Sequence, residues 1–185
     1  MSRSLKSVTG STRRVLTESE VLSRLRSKRG APGYRAMFSS WIGGVVTDPA
    51  LMQIPLDDHL VHRGHGVFDT CTLASGRLYR LGVHMDRLLR SATLARIEHP
   101  WSKEELIEMV IDTASAAGIR DGAVRYWMSV GPGGFSPSPK ECAESCFYCV
   151  IFDPTPLGGE GPDPMRTGVP EVTVLDTPMK PPLLA

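Results

Sequence analysis

Residues able to do chemistry cluster in three places along this 185-residue chain. His59, His62 and His65 recur at every third position, a spacing that on a helix would align three imidazoles and invites a metal reading. Gly64 and Gly66 oppose it, because glycine is a poor helix former and the pair predicts a turn here, where backbone can approach a ligand closely. Cys142, Cys146 and Cys149 also have the chemistry of a zinc site. Residues 146–152 (CFYCVIF), however, read as a buried strand, and no fourth ligand stands at zinc-site spacing, so no metal is expected. The third cluster, His84-Met85-Asp86-Arg87 with Arg90, carries guanidinium groups whose planar fork suits phosphate or carboxylate oxygens. The plainer reading is a solvated helix face on which Asp86 and Arg90, four apart, pair with each other.

These groups need elements to hold them. Gly43-Gly44 between apolar runs at 36–42 and 45–46 predicts a hairpin, and residues 67–73 and 77–81, separated by Ala74-Ser75-Gly76, predict a second. Apolar residues Met85, Leu88, Leu89, Ala92 and Ala95 recur near every 3.6 positions, which predicts a helix over 83–97 with His84, Arg87 and Arg90 off its apolar stripe. Ser102 followed by Glu105 is a capping-box signature. It opens a helix with the stripe Leu106, Met109, Val110, Ala114 and Ala117, ended by Gly118. Residues 123–130 alternate as a strand, with Val124, Tyr126, Met128 and Val130 on one face and Arg125, Trp127 and Ser129 on the other. Residues 146–152 are its expected partner.

Composition limits the rest. A formal net charge of +1 gives no reason to expect a nucleic-acid partner, and no apolar run approaches the roughly 18 residues of a membrane span, so a soluble protein is expected. Four cysteines without a secretory signal favour reduced thiols. Residues 1–15 hold Arg3, Lys6, Arg13 and Arg14 and no acid, a weakly transit-like composition, while residues 19–28 look like an appended surface helix. The segment is thus either an organelle-targeting leader or a plain extension, and the compartment, cytoplasm or organelle, stays open. Proline, glycine and acidic residues at 153–166 predict an interdomain linker. The expected organisation is an extension over 1–33, a small domain over 34–152, the linker, and only the start of a second domain over 167–185.

The run HRGHGVFDTCTLASGRLYRLGVHMDRLLRSA, residues 62–92, resembles the N-terminal domain of the fold-type IV pyridoxal-phosphate enzymes, the class-IV aminotransferases. Within that family the likeness is to the D-amino-acid-transaminase-like proteins of plants, and it extends over residues 34–185. The resemblance implies an α+β fold, an antiparallel sheet with two helices. It also implies pyridoxal 5'-phosphate as cofactor, an amino acid and a 2-oxo acid as substrates, and a homodimer. Arg87 matches the family's phosphate-contacting arginine, and Phe68 stands at a substrate-pocket position. Val130 occupies the place where bacterial D-amino-acid transaminases carry a carboxylate-binding arginine, a departure that argues against a D-amino-acid preference unless Arg125 or a second-domain group substitutes. Arg63 and His65 are candidates for packing or for hydrogen bonds at the interface with the cofactor domain.

Cofactor attachment requires a lysine amine. Lys6 and Lys28 lie in the extension, Lys103 in the first turn of a helix and Lys140 in a Pro-Ser-Pro-Lys loop. By resemblance, Pro178-Met179-Lys180-Pro181-Pro182 precedes the Schiff-base lysine, which is expected beyond Ala185. The chain is therefore expected to be inactive as a transaminase alone. Two other outcomes are compatible with the resemblance: a non-catalytic dimerisation partner of full-length subunits, and aminodeoxychorismate-lyase-like activity in the complete form.

Overall fold

A computed structural model of the chain describes residues 14–29 and 33–153. The expected linker, apart from Asp153, and the start of a second domain lie outside the described residues. Six strands form one antiparallel sheet: β1 (Tyr34–Ser39), β2 (Gly44–Val46), β3 (Gly66–Ala74), β4 (Arg77–Leu78), β5 (Gly122–Ser129) and β6 (Cys146–Phe152), in the order β2-β1-β6-β5-β3-β4. Four helices accompany them: α1 (Glu18–Arg29), α2 (His59–Arg63), α3 (Leu81–Leu94) and α4 (Lys103–Ala116).

Strand alternation gives the sheet two different faces. On one, α3 and α4 pack Leu81, Met85, Leu88, Ala92, Leu106 and Val110 against Val124, Tyr126, Met128, Phe147, Cys149 and Ile151, the main core. On the other, Met37, Cys146, Tyr148 and Val150 are covered by Met52 and Ile54 from the segment after β2. That cover leaves Phe68 52% exposed, so the second face is open towards β3. The fold is the α+β arrangement of an antiparallel sheet and two main helices read from the sequence.

The local signals act as expected in several places. Ser102 accepts the Glu105 N–H while the Glu105 carboxylate accepts the Ser102 N–H at 2.7 Å, a complete capping box. Gly118, at φ 66°, follows the last turn of α4.

Two expectations are corrected. The strand expected over 77–81 pairs only at Arg77–Leu78, because Arg80 turns the chain at φ 51° and Leu81 joins the apolar stripe of α3. The glycines after His62 do not prevent a helix. Asp58 caps α2 by accepting the Leu60 N–H, and Gly64, in the left-handed region, terminates that helix. In α4 the expected stripe packs on the main core, and Thr113 joins it fully buried, its hydroxyl satisfied on the Met109 carbonyl. A threonine can occupy a core stripe when its hydroxyl bonds back along its own helix.

Candidate phosphate and substrate site

The alternation of β3 sends consecutive residues to opposite faces. Val67, Asp69, Cys71 and Leu73 turn towards the helices, and Phe68 and Thr70 towards the open face. Asp69 is thus a carboxylate on the core side of a strand, with its side chain only 1% exposed. A buried charge is tolerated only when paired and hydrogen-bonded. Arg87, nearly two turns into α3, donates from Nε to Asp69 Oδ2 at 2.6 Å and from Nη2 to Oδ1. The Thr70 N–H donates to Oδ1 at 2.6 Å, and His84 Nδ1 donates to the same oxygen at 3.2 Å. Burial pushes the Asp69 carboxyl upwards, but the hydrogen bonds from Arg87, Thr70 and His84 outweigh it and hold the group below its ordinary range. The Arg87 side chain is 59% exposed, so the guanidinium has a buried edge on Asp69 and an open one.

On the open face, β3 pairs with β5 so that Thr70 lies opposite Arg125 and Phe68 opposite Trp127. Arg125 Nε donates to Thr70 Oγ1 at 3.2 Å, and the guanidinium carbon stands 5.5 Å from the centroid of the Phe68 ring. This cation–π placement aligns the arginine along the sheet surface. Beside it, Tyr34, Met37, Met52, Ile54, Trp127 and Val150 line a shallow groove of about 310 Å³. Phe68 and Arg125 are therefore brought together, whereas Arg87 is held by the helix side of the same strand. Val130 is 9% exposed and belongs to the main core.

The three histidines diverge. His59 Nε2 meets Glu141 Oε1 at 3.0 Å, His62 Nε2 donates to the Asp57 carbonyl at 3.3 Å, and His65 Nε2 donates to the Ala95 carbonyl at 3.0 Å. His65 and Arg63, which donates to the Phe135 carbonyl at 2.9 Å, bind backbone within the described domain. Cys146 and Cys149, three apart in β6, point to opposite faces of the sheet, into the two different cores. Among the described residues no three His, Cys, Asp or Glu side chains are disposed to hold a metal ion. Of the described lysines, Lys103 is engaged by Asp86 at 2.5 Å. Lys180 lies outside the described residues.

Sequence reasoning did not single out Asp69 or Asp58. Asp69 had a visible signal: it is the one charged residue at an inward position of an otherwise apolar alternation. Asp58 is completely buried, accepting from Tyr148 Oη at 2.7 Å, Ser129 Oγ at 2.9 Å and Leu60 N–H at 2.8 Å. It fixes the turn that leads into β3.

Comparisons with known proteins bear on the family and the fold. The family model for class-IV amino-transferases matches residues 66–182. The chain is 49% identical over 138 residues to the chloroplastic D-amino-acid transaminase of Arabidopsis thaliana, covering 75% of this chain and 37% of that protein. Its fold superposes on the branched-chain amino acid aminotransferase of Escherichia coli with a TM-score of 0.60 at 21% identity, covering 69% of this chain and 42% of the other. The corresponding values for the enzyme of Thermoproteus uzoniensis, solved with norvaline, are 0.57 and 23%, covering 65% and 41%. The sheet with its two covering helices is thus the small-domain half of the fold-type IV aminotransferase fold. The chain belongs to the class-IV amino-transferase family. It spans about two fifths of the length of these relatives.

Proposed function

We propose that this chain forms the phosphate- and substrate-facing small domain of a pyridoxal-phosphate-dependent aminotransferase that moves an amino group between an amino acid and a 2-oxo acid. The observation that supports this most directly is the half-open Arg87 guanidinium, anchored on buried Asp69 with its other edge free for an anion. That donor set fits a phosphate, whose oxygens accept a planar pair of N–H groups. Bound pyridoxal phosphate supplies the electron sink for amino-group transfer. This chain's residues contribute binding and orientation. Arg87 holds the phosphate. Phe68 forms an apolar wall and has no donor to offer the substrate. Arg125, already aligned by Phe68 and Thr70, presents its terminal nitrogens to a substrate carboxylate. Val130, in the core, offers no donor, and Arg125 or a second-domain group serves that carboxylate. The amine that carries the cofactor comes, in this reading, from outside residues 14–153.

The test is incubation with pyridoxal 5'-phosphate, borohydride reduction and peptide mass spectrometry. The expected result is no stoichiometric pyridoxyl group on Lys28, Lys103 or Lys140. Specific labelling of any of these three would overturn the assignment of this domain, and labelling of Lys180 would show that the chain carries its own cofactor amine.

A further inference from the structure

We infer that Asp69 is a positioning residue that sets the Arg87 guanidinium in the orientation an anion needs, with His84 steadying the carboxylate. The inference rests on the phosphate reading of Arg87 given above. A guanidinium has five N–H donors, and Asp69 takes two of them, from Nε and Nη2. The remaining three are not taken by Asp69, and the side chain as a whole is 59% exposed. On the carboxylate, Oδ2 accepts from Arg87, while Oδ1 accepts from Arg87, the Thr70 N–H and His84 Nδ1. Four donors from three residues thus hold the carboxylate, three on Oδ1 and one on Oδ2, and resist its rotation.

The surroundings add no competing charge. Burial pushes the neighbouring Cys71 thiol up to about 11 and raises the Tyr126 hydroxyl, so both stay neutral near pH 7. Among the described residues Arg87 is the only arginine or lysine paired with Asp69. An unanchored arginine loses much rotamer freedom when it captures an anion. Here that freedom is already lost in the folded domain, and any anion meets a preset fork.

The experiment compares the binding of pyridoxal 5'-phosphate with that of pyridoxal, which lacks the phosphate, in the unsubstituted chain and in Asp69→Asn, His84→Leu, His84→Asn and Arg87→Ala variants. Loss of one charge-assisted hydrogen bond predicts that Asp69→Asn lowers the preference for the phosphorylated form about tenfold and leaves pyridoxal binding unchanged. His84→Leu should lower it less, and His84→Asn, whose amide N–H can replace Nδ1, should restore it. The His84 pair decides the matter if Asp69→Asn does not fold. A loss in Arg87→Ala with none in the Asp69 and His84 variants would overturn the inference and leave the phosphate reading standing. Equal loss of both ligands in Asp69→Asn, with a lower melting temperature, would make Asp69 purely structural and also overturn it. If the unsubstituted chain shows no preference for the phosphorylated ligand, or Arg87→Ala retains it, the phosphate reading falls and the inference with it.

Discussion

The four thiols differ sharply in setting. Burial raises all four above the ordinary thiol range, but Cys71, Cys146 and Cys149 are buried in the sheet, whereas Cys142 is half-buried beside a 3-10 turn at Pro139–Glu141. Because the thiolate is the reactive species and must be reached by solvent, only Cys142 should react in the folded protein. Iodoacetamide at pH 8 followed by mass spectrometry is expected to modify Cys142 first and the other three only after urea unfolding. Rapid modification of Cys149 in the folded protein would contradict the packing of β6.

At the scale of elements, the turn into β3 depends on Asp58. Its carboxylate joins α2, through the Leu60 N–H, to the end of β5 through Ser129 and to β6 through Tyr148. The Gly131 N–H donates in turn to Ser129 Oγ at 3.1 Å, and Gly131 accepts from the His59 N–H at 3.2 Å. Tyr148→Phe keeps the ring and removes one donor from a carboxylate that has no access to water. The expected cost is about 1–3 kcal/mol in urea unfolding. Hydrogen exchange should rise first at the amides of residues 58–66. An unchanged midpoint would mean that Asp58 is already satisfied without the phenol.

The whole molecule leaves large apolar side chains at its surface. Trp41 and Ile42 in the β1–β2 turn are each about half exposed, as are Phe68 on the open sheet face and Phe135 in the long β5–β6 connection. Apolar surface of this kind marks interaction sites when it is contiguous. Among the described residues no helix is long and apolar enough to cross a membrane. We predict self-association, with sedimentation giving about twice the 20.2 kDa chain mass at micromolar concentration. A species at the single-chain mass over the whole range would count against a homodimer formed by this chain.

What the sequence alone determined is what depends on near neighbours. The stripe of α3, the capping box of α4 and the alternation of β5 are each set within one or two turns or a few strand positions, where side-chain type fixes backbone choice. The family likeness likewise lay in a continuous run, residues 62–92. The site could be read there only in part. Phe68, Arg87 and Arg125 were legible as residue types at particular positions, but not the company they keep. Asp69 and Arg87 are 18 residues apart, and Asp58 and Tyr148 are 90 apart. Their meeting depends on strand order and register, which one-residue slips would reverse from face to face. The same register sends Val130 into the core and Arg125 to the open face. Tertiary structure decided that division, because only the closed sheet determines which side of each strand is withdrawn from water.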